Sequence, residues 1–163
     1  MVESSDEKAR RDRVFLVVVD DTPERAVALR YASLRAARSG GRVALLRVVE
    51  PVEQAEWAGI GAMMQQERRE EAETLLAGLA AQVKEITGGL PVLIIREGQA
   101  AEELLDLLDE DPRISILVLA TSTMGRGPGP LITALTGKMA GRLGVPMTIV
   151  PGGMSEQELD RVT

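Results

Sequence analysis

Short apolar runs alternate along the chain with longer stretches in which apolar residues recur every three or four positions. This alternation predicts βαβ units built around a parallel sheet. The run Val14 to Val19 (VFLVVV) is continuous, as in a strand buried on both faces, and is predicted to be central. Thr22-Pro23-Glu24 opens a helix, with Thr22 as N-cap and Pro23 in the first helical position. Its apolar positions continue through Ala26, Leu29, Ala32 and Ala36, and Ser39-Gly40-Gly41 stops it. Val43 to Val49 (VALLRVV) forms the second strand. The segment from Glu50 to Met64, with Pro51, Gly59 and Gly61, reads as a long loop or broken helix.

From Gln66 to Thr87 the apolar residues Ala72, Leu75, Leu76, Leu79, Ala80 and Val83 share one helical face, and Gly88-Gly89 ends the helix. Leu90 to Ile95 makes the third strand, Ala100 to Leu108 a helix with Leu104, Leu105 and Leu108 inward, and Ile114 to Ala120 (ISILVLA) the fourth strand. After a loop rich in Gly and Pro, Leu131 to Leu143 is expected as a helix with Leu131, Leu135, Met139 and Leu143 on one side. Met147 to Val150 is the fifth strand. In the remaining tail, Ser155 and Glu158 have the spacing of a capping box for one short helix.

The pattern therefore implies an α/β fold: a three-layer, Rossmann-like open sheet of five parallel strands with helices on both faces. The 163 residues suit one domain, here residues 14–151, between a flexible N-terminal tail at 1–13 and a C-terminal tail or short helix at 152–163. Phe15, Tyr31 and Trp57 are the whole aromatic complement, so the core is aliphatic. The chain has neither Cys nor His, which removes disulfides, thiol nucleophiles, imidazole bases and the commonest transition-metal ligands. A net charge of -6 repels a phosphate backbone, so nucleic acid is not an expected partner. Residues 1–13 lack an apolar leader core and no later run has bilayer-spanning length. The expectation is a cytoplasmic protein without a membrane partner.

In an open α/β sheet, ligands settle beyond the carboxyl ends of the strands, where the strand order reverses. Asp20-Asp21-Thr22 after the first strand could offer carboxylates to ribose hydroxyls or an adenine amine, or simply cap the helix. After the fourth strand, Thr121 to Pro130 carries Gly125, Gly127 and Gly129, whose backbone N–H groups could wrap an anion with help from hydroxyls and Arg126. Pro128 and Pro130 interrupt that arrangement because they cannot donate. Neither G-x-x-x-x-G-K-[ST] nor G-x-G-x-x-G after the first strand is present. Met63-Met64 and Arg68-Arg69-Glu70-Glu71 read as gap-filling and solvated positions. Trp57, in a polar connection, covers the crevice or a partner surface, or is buried against the sheet.

The segments FLVVVDDTPERAVALRYA, VALLRVVEP, EEAETLLAGLAAQV, REGQAAEELLDLL and ISILVLATS together resemble the universal stress protein family, from Val14 to Pro151. The resemblance implies a strand order 3-2-1-4-5 and adenosine held by Asp20 and by the backbone near Val48. The family's G-x2-G-x9-G-[ST] phosphate motif, aligned back from Pro146, falls on Ala120, Thr123, Thr133 and Ala134. A shifted register places Gly127 and Gly137 at two glycines but Met124 and Lys138 at the other positions. The usual Asp-Gly-Ser is Asp20-Asp21-Thr22.

The candidate nucleotide site is thus Asp20, Val48, Thr121, Thr123, Gly125, Gly127, Gly129 and Thr133, with no catalytic or metal-binding residue assigned. The resemblance also implies a homodimer through Met147 to Val150, alongside unidentified protein partners. The expected function is a non-enzymatic, dimeric stress-response protein with weak or absent ATP binding. A sensor binding an adenine nucleotide between Asp20 and the Gly125–Gly129 loop is the alternative, and an ATP hydrolase of the same fold group a further one.

Overall fold

The computed structural model describes residues 4–52, 58–125 and 127–163. Among them the apolar runs become five strands: β1 (Val14–Val18), β2 (Arg42–Val49), β3 (Val92–Glu97), β4 (Ile114–Ala120) and β5 (Met147–Val150). All pair in parallel, in the order β3-β2-β1-β4-β5, so fold class and strand order are as expected. The helices are α1 (Ser5–Arg11), α2 (Arg25–Ser39), α3 (Ala58–Thr87), α4 (Ala100–Glu110), α5 (Pro130–Thr136) and α6 (Glu156–Val162).

Alternation along each strand sends successive side chains to opposite faces of the sheet, which divides the interior into two cores. On one face Phe15, Val17, Leu45 and Val118 pack with Ala28, Leu29 and Ala32 of α2 and Leu76 and Val83 of α3. On the other, Leu16, Leu46 and Leu117 meet Leu104, Leu105 and Leu108 of α4 and Ile132 and Leu135 of α5. β1 lies between β2 and β4, and Phe15, Leu16 and Val17 are fully buried. Among the described residues no helix is long and apolar enough to cross a membrane.

Several boundaries differ from the pattern-based reading. β3 begins at Val92, not Leu90, because Pro91 has no N–H for the ladder, and Leu90 is left 72% exposed. α3 begins at Ala58, so the part of the expected loop from 58 to 64 is helical. Two glycines there weaken the helix by about 1 kcal/mol each, and the side-chain contacts to the β2 exit come further along it. The Gln65 side chain accepts from Val52 N–H (3.2 Å), and Arg68 donates to the Glu50 carbonyl (3.3 Å).

The single helix expected over 131–143 is divided. α5 stops at Thr136, Gly137 leaves helical geometry at φ -108 and ψ -111, and a 3-10 turn follows at Ala140–Arg142. Leu131, Leu135, Met139 and Leu143 nevertheless all pack on the same core, so the shared face is real although the helix is not continuous.

At the start of α2, Thr22 is not the N-cap. Its N–H and hydroxyl both donate to Asp20 Oδ1, at 2.9 and 2.6 Å, while Thr22 and Pro23 form a turn ahead of a helix that begins at Arg25. The other end behaves as expected: Gly40 takes φ 77 and donates to the Ala36 carbonyl, a left-handed cap that suits glycine. Ser155 and Glu158 form the capping box of α6, whose Leu159 is buried in the α2 core.

Candidate functional site

Between β1 and β4 the order of connections reverses, and beyond the carboxyl ends of these two strands lies a cleft of about 860 Å3. Val18, Leu119 and Ala120 form its floor, while Leu131, Ile132 and Met139 bring an apolar wall from α5 and the turn after it. Asp20, Thr22 and Arg25 stand on one side. Ser122, Gly127, Pro128, Gly129 and Thr133 stand on the other, with Lys138 beside them. This is the position at which open α/β sheets take ligands.

Asp20 is solvent-exposed and borders a second cleft of about 580 Å3 on the β2 side of β1, where Val48 lies with Arg47 and Arg68. Asp20 therefore touches both spaces, whereas Val48 lines only the second. Its carboxylate is engaged by Thr22, and its carbonyl accepts from Arg25 Nη1 at 2.9 Å. Arg47, which sequence reasoning passed over, fixes this loop from below. It donates to the Val19 carbonyl (3.1 Å) and to Asp21 Oδ1 (2.8 Å). The available signal was a lone cation inside the otherwise apolar VALLRVV.

The loop after β4 uses its own donors internally. Thr121 N–H pairs with the Val150 carbonyl (2.9 Å), and Ser122 N–H with the Pro128 carbonyl (2.9 Å). Met124 N–H reaches the Ser122 hydroxyl (3.2 Å). Thr123 N–H goes to Glu24 Oε1 at 2.9 Å, and the Thr123 hydroxyl donates to the same oxygen. Thr133 turns its hydroxyl back to the Gly129 carbonyl (2.8 Å). Gly125, Gly127 and Gly129 all have positive φ (88, 87 and 113), a shape open to glycine and rarely to other residues.

Of the candidate site residues, the structure thus gathers Asp20, Gly127, Gly129 and Thr133 around the larger cleft. It sets Val48 in the smaller one, while Thr121, Thr123 and Gly125 line neither cleft. Arg126 and Trp57 lie outside the described residues.

Glu24 is the functional candidate that sequence reasoning missed. It is only 4% exposed, and the Thr123 hydroxyl and amide hold its carboxyl down to about 2 from an ordinary 4.5. Gly152 makes room for it: a Cβ there would lie 2.7 Å from Glu24 Cγ and 2.0 Å from the Thr121 carbonyl oxygen. Chemically, the cleft combines an apolar interior with a few polar groups at its rim, the usual composition of a small-molecule site. No set of three or more Asp or Glu that could hold a metal ion occurs among the described residues.

The model of the universal stress protein family matches residues 13–151. In structure the chain is similar to the universal stress protein UspA from Lactobacillus plantarum, with 16% identity over 86% of this chain and 98% of that one, at a TM-score of 0.71. A universal stress protein in complex with cAMP is similar at 16% identity over 86% and 98% of the two chains, TM-score 0.63. A family protein from Arabidopsis thaliana with AMP bound is similar at 16% identity over 90% and 94%, TM-score 0.59. No curated protein matches the chain by sequence. Since the family model spans every strand from β1 to β5, the chain belongs to the universal stress protein family.

Proposed function

We propose that this chain is a dimeric, non-enzymatic, cytoplasmic regulatory protein of its family, acting through partner contacts and binding ATP weakly or not at all. The observation that carries the reading is the wall of the larger cleft facing Asp20. Where the family motif would place phosphate-receiving residues stand Ala120, Thr123, Thr133 and Ala134, of which Ala120, Thr133 and Ala134 line the cleft. Pro128 and Pro130, which cannot donate, line the cleft beside them. Turnover is disfavoured by the same inventory: without His or Cys, proton transfer would fall to Asp20, already engaged by Thr22, to Asp21 or to Lys138.

A second reading, an adenine-nucleotide sensor, is favoured by one feature, the position of Asp20 at the rim of both clefts. Two structural neighbours hold an adenosine monophosphate, AMP in one and cAMP in the other. Calorimetric titration of the purified chain with ATP, ADP, AMP and adenosine separates the two. The expected result is no saturable heat from ATP at micromolar concentration and no phosphate release. Micromolar ATP binding that weakens in Asp20→Ala and Gly127→Val would establish the sensor and overturn the proposal.

A further inference from the structure

We propose that Glu24 is a resident anion. Its carboxylate occupies the donors at the head of the β4–α5 loop and turns the crevice against phosphate-bearing ligands, in favour of a neutral ligand of nucleoside size. The proposal rests on the larger cleft being the ligand site, as in the reading above, and adds which class of ligand that site accepts.

The N–H groups of Thr121, Ser122, Thr123 and Met124 all have acceptors within the protein. Three of those acceptors are neutral carbonyl or hydroxyl oxygens of the β4–β5 region. The fourth is a full negative charge, brought by α2 from 99 residues away. A carboxylate on a backbone amide and its side-chain hydroxyl is the arrangement by which a loop receives a phosphate oxygen, and here the protein supplies the anion itself.

Displacing it is unfavourable on two counts. An incoming phosphate would meet a like charge held at the wall of the cleft, which Glu24 also lines. It would also strip a buried carboxylate of both hydrogen bonds, leaving a charge with little access to water. The side chain also lies close against Gly152, where a Cβ would come within 2.7 Å of Glu24 Cγ. Its depressed pKa keeps this charge in place at any physiological pH. A neutral ligand meets none of these obstacles. The apolar floor of Val18, Leu119 and Ala120 and the Leu131–Ile132 wall suit a flat uncharged body.

The experiment uses the full chain with adenosine, ATP and inorganic pyrophosphate as probes, followed by calorimetry and by the backbone amide resonance of Thr123. In the unaltered protein, adenosine is expected to bind at least as tightly as ATP, and pyrophosphate to leave the Thr123 amide unmoved. Glu24→Ala should then bind pyrophosphate with saturable shifts at Thr123 and Met124 and a gain of about tenfold or more, with adenosine affinity little changed. Glu24→Gln keeps the acceptor without the charge and should gain less.

If adenosine binds and pyrophosphate does not gain in either variant, the resident-anion proposal is wrong while the crevice reading survives. If pyrophosphate gains but adenosine never binds, Glu24 does guard the loop and the crevice reading fails. ATP binding more tightly than adenosine to the unaltered chain overturns the proposal even if neither variant folds.

Discussion

A carboxylate that accepts two hydrogen bonds from one neighbour is stabilised in its charged form, and at Glu24 the consequence can be measured as a dependence of stability on pH. Its carboxyl sits at about 2 in the folded chain against an ordinary 4.5, so between these values the unfolded chain binds more protons than the folded one. The stability it contributes is therefore complete above the unfolded value and drains away as pH falls from there towards about 2. Urea denaturation at steps between about pH 6 and about pH 2.5 should show Glu24→Gln losing less stability over that interval than the unaltered protein. Equal losses would mean that the Thr123 contact is not formed in solution. Asp20 was legible in the sequence because a strand-end acid needs no knowledge of distant residues. Glu24 and Arg47 were not, since their partners lie 99 and 28 positions away and only the sheet order brings them together. Thr22 misled for the opposite reason. Its hydroxyl had two local uses, a cap or a bond to Asp20, and the turn at Thr22-Pro23 displaced the helix start and favoured the second.

At the scale of elements, distant contacts settled what local propensity left open. Gly59 and Gly61 argued against helix, yet α3 runs through them, since helix formers surround them and Gln65 and Arg68, further along, anchor the helix to the β2 exit. The division at Gly137 was hidden because a shared apolar face implies a common core and says nothing of an unbroken backbone. Thr133 and Thr136 turn their hydroxyls back to the carbonyls of Gly129 and Ile132, and such back-bonding weakens a short helix. The capping box of α6 was readable from Ser155 and Glu158 alone, but its docking was not. Leu159 enters the core beside α2, and Arg38 donates to the Asp160 carbonyl (2.8 Å) and the Thr163 hydroxyl (2.6 Å). Leu159→Ala should therefore lower stability by about 2–5 kcal/mol, seen as an earlier urea midpoint. Arg30→Ala, which breaks an exposed pair with Asp160, should cost under about 1 kcal/mol. If Leu159→Ala left the midpoint unchanged, α6 would be a tail resting on the surface and not part of the core.

For the whole molecule, the two-sided core followed from continuous apolar runs separated by helical periods, because parallel strands buried on both faces leave that mark at every crossing of the sheet, whereas the strand order was implied by the family resemblance. What such runs cannot show is how the two open edges are covered. One edge is β3, which starts after Pro91 and carries Arg96 and Glu97 within the strand. Arg96 is paired with Glu110 and Glu103, and these charges discourage a second strand from adding there. The other edge is β5, whose four residues Met147, Thr148, Ile149 and Val150 include no charge, with Ile149 40% exposed. If the chain pairs with a second copy, β5 is the edge at which the sheet can be continued without burying an ionised group. Light scattering of the dilute protein should give twice the chain mass, and Ile149→Lys, which places a charge in the middle of that edge, should give the mass of one chain. Leu93→Lys puts the same charge on the β3 edge and should leave the dimer intact. A dimer lost with Leu93→Lys and kept with Ile149→Lys would move the interface to β3, and a single-chain mass for the unaltered protein would remove it from both edges.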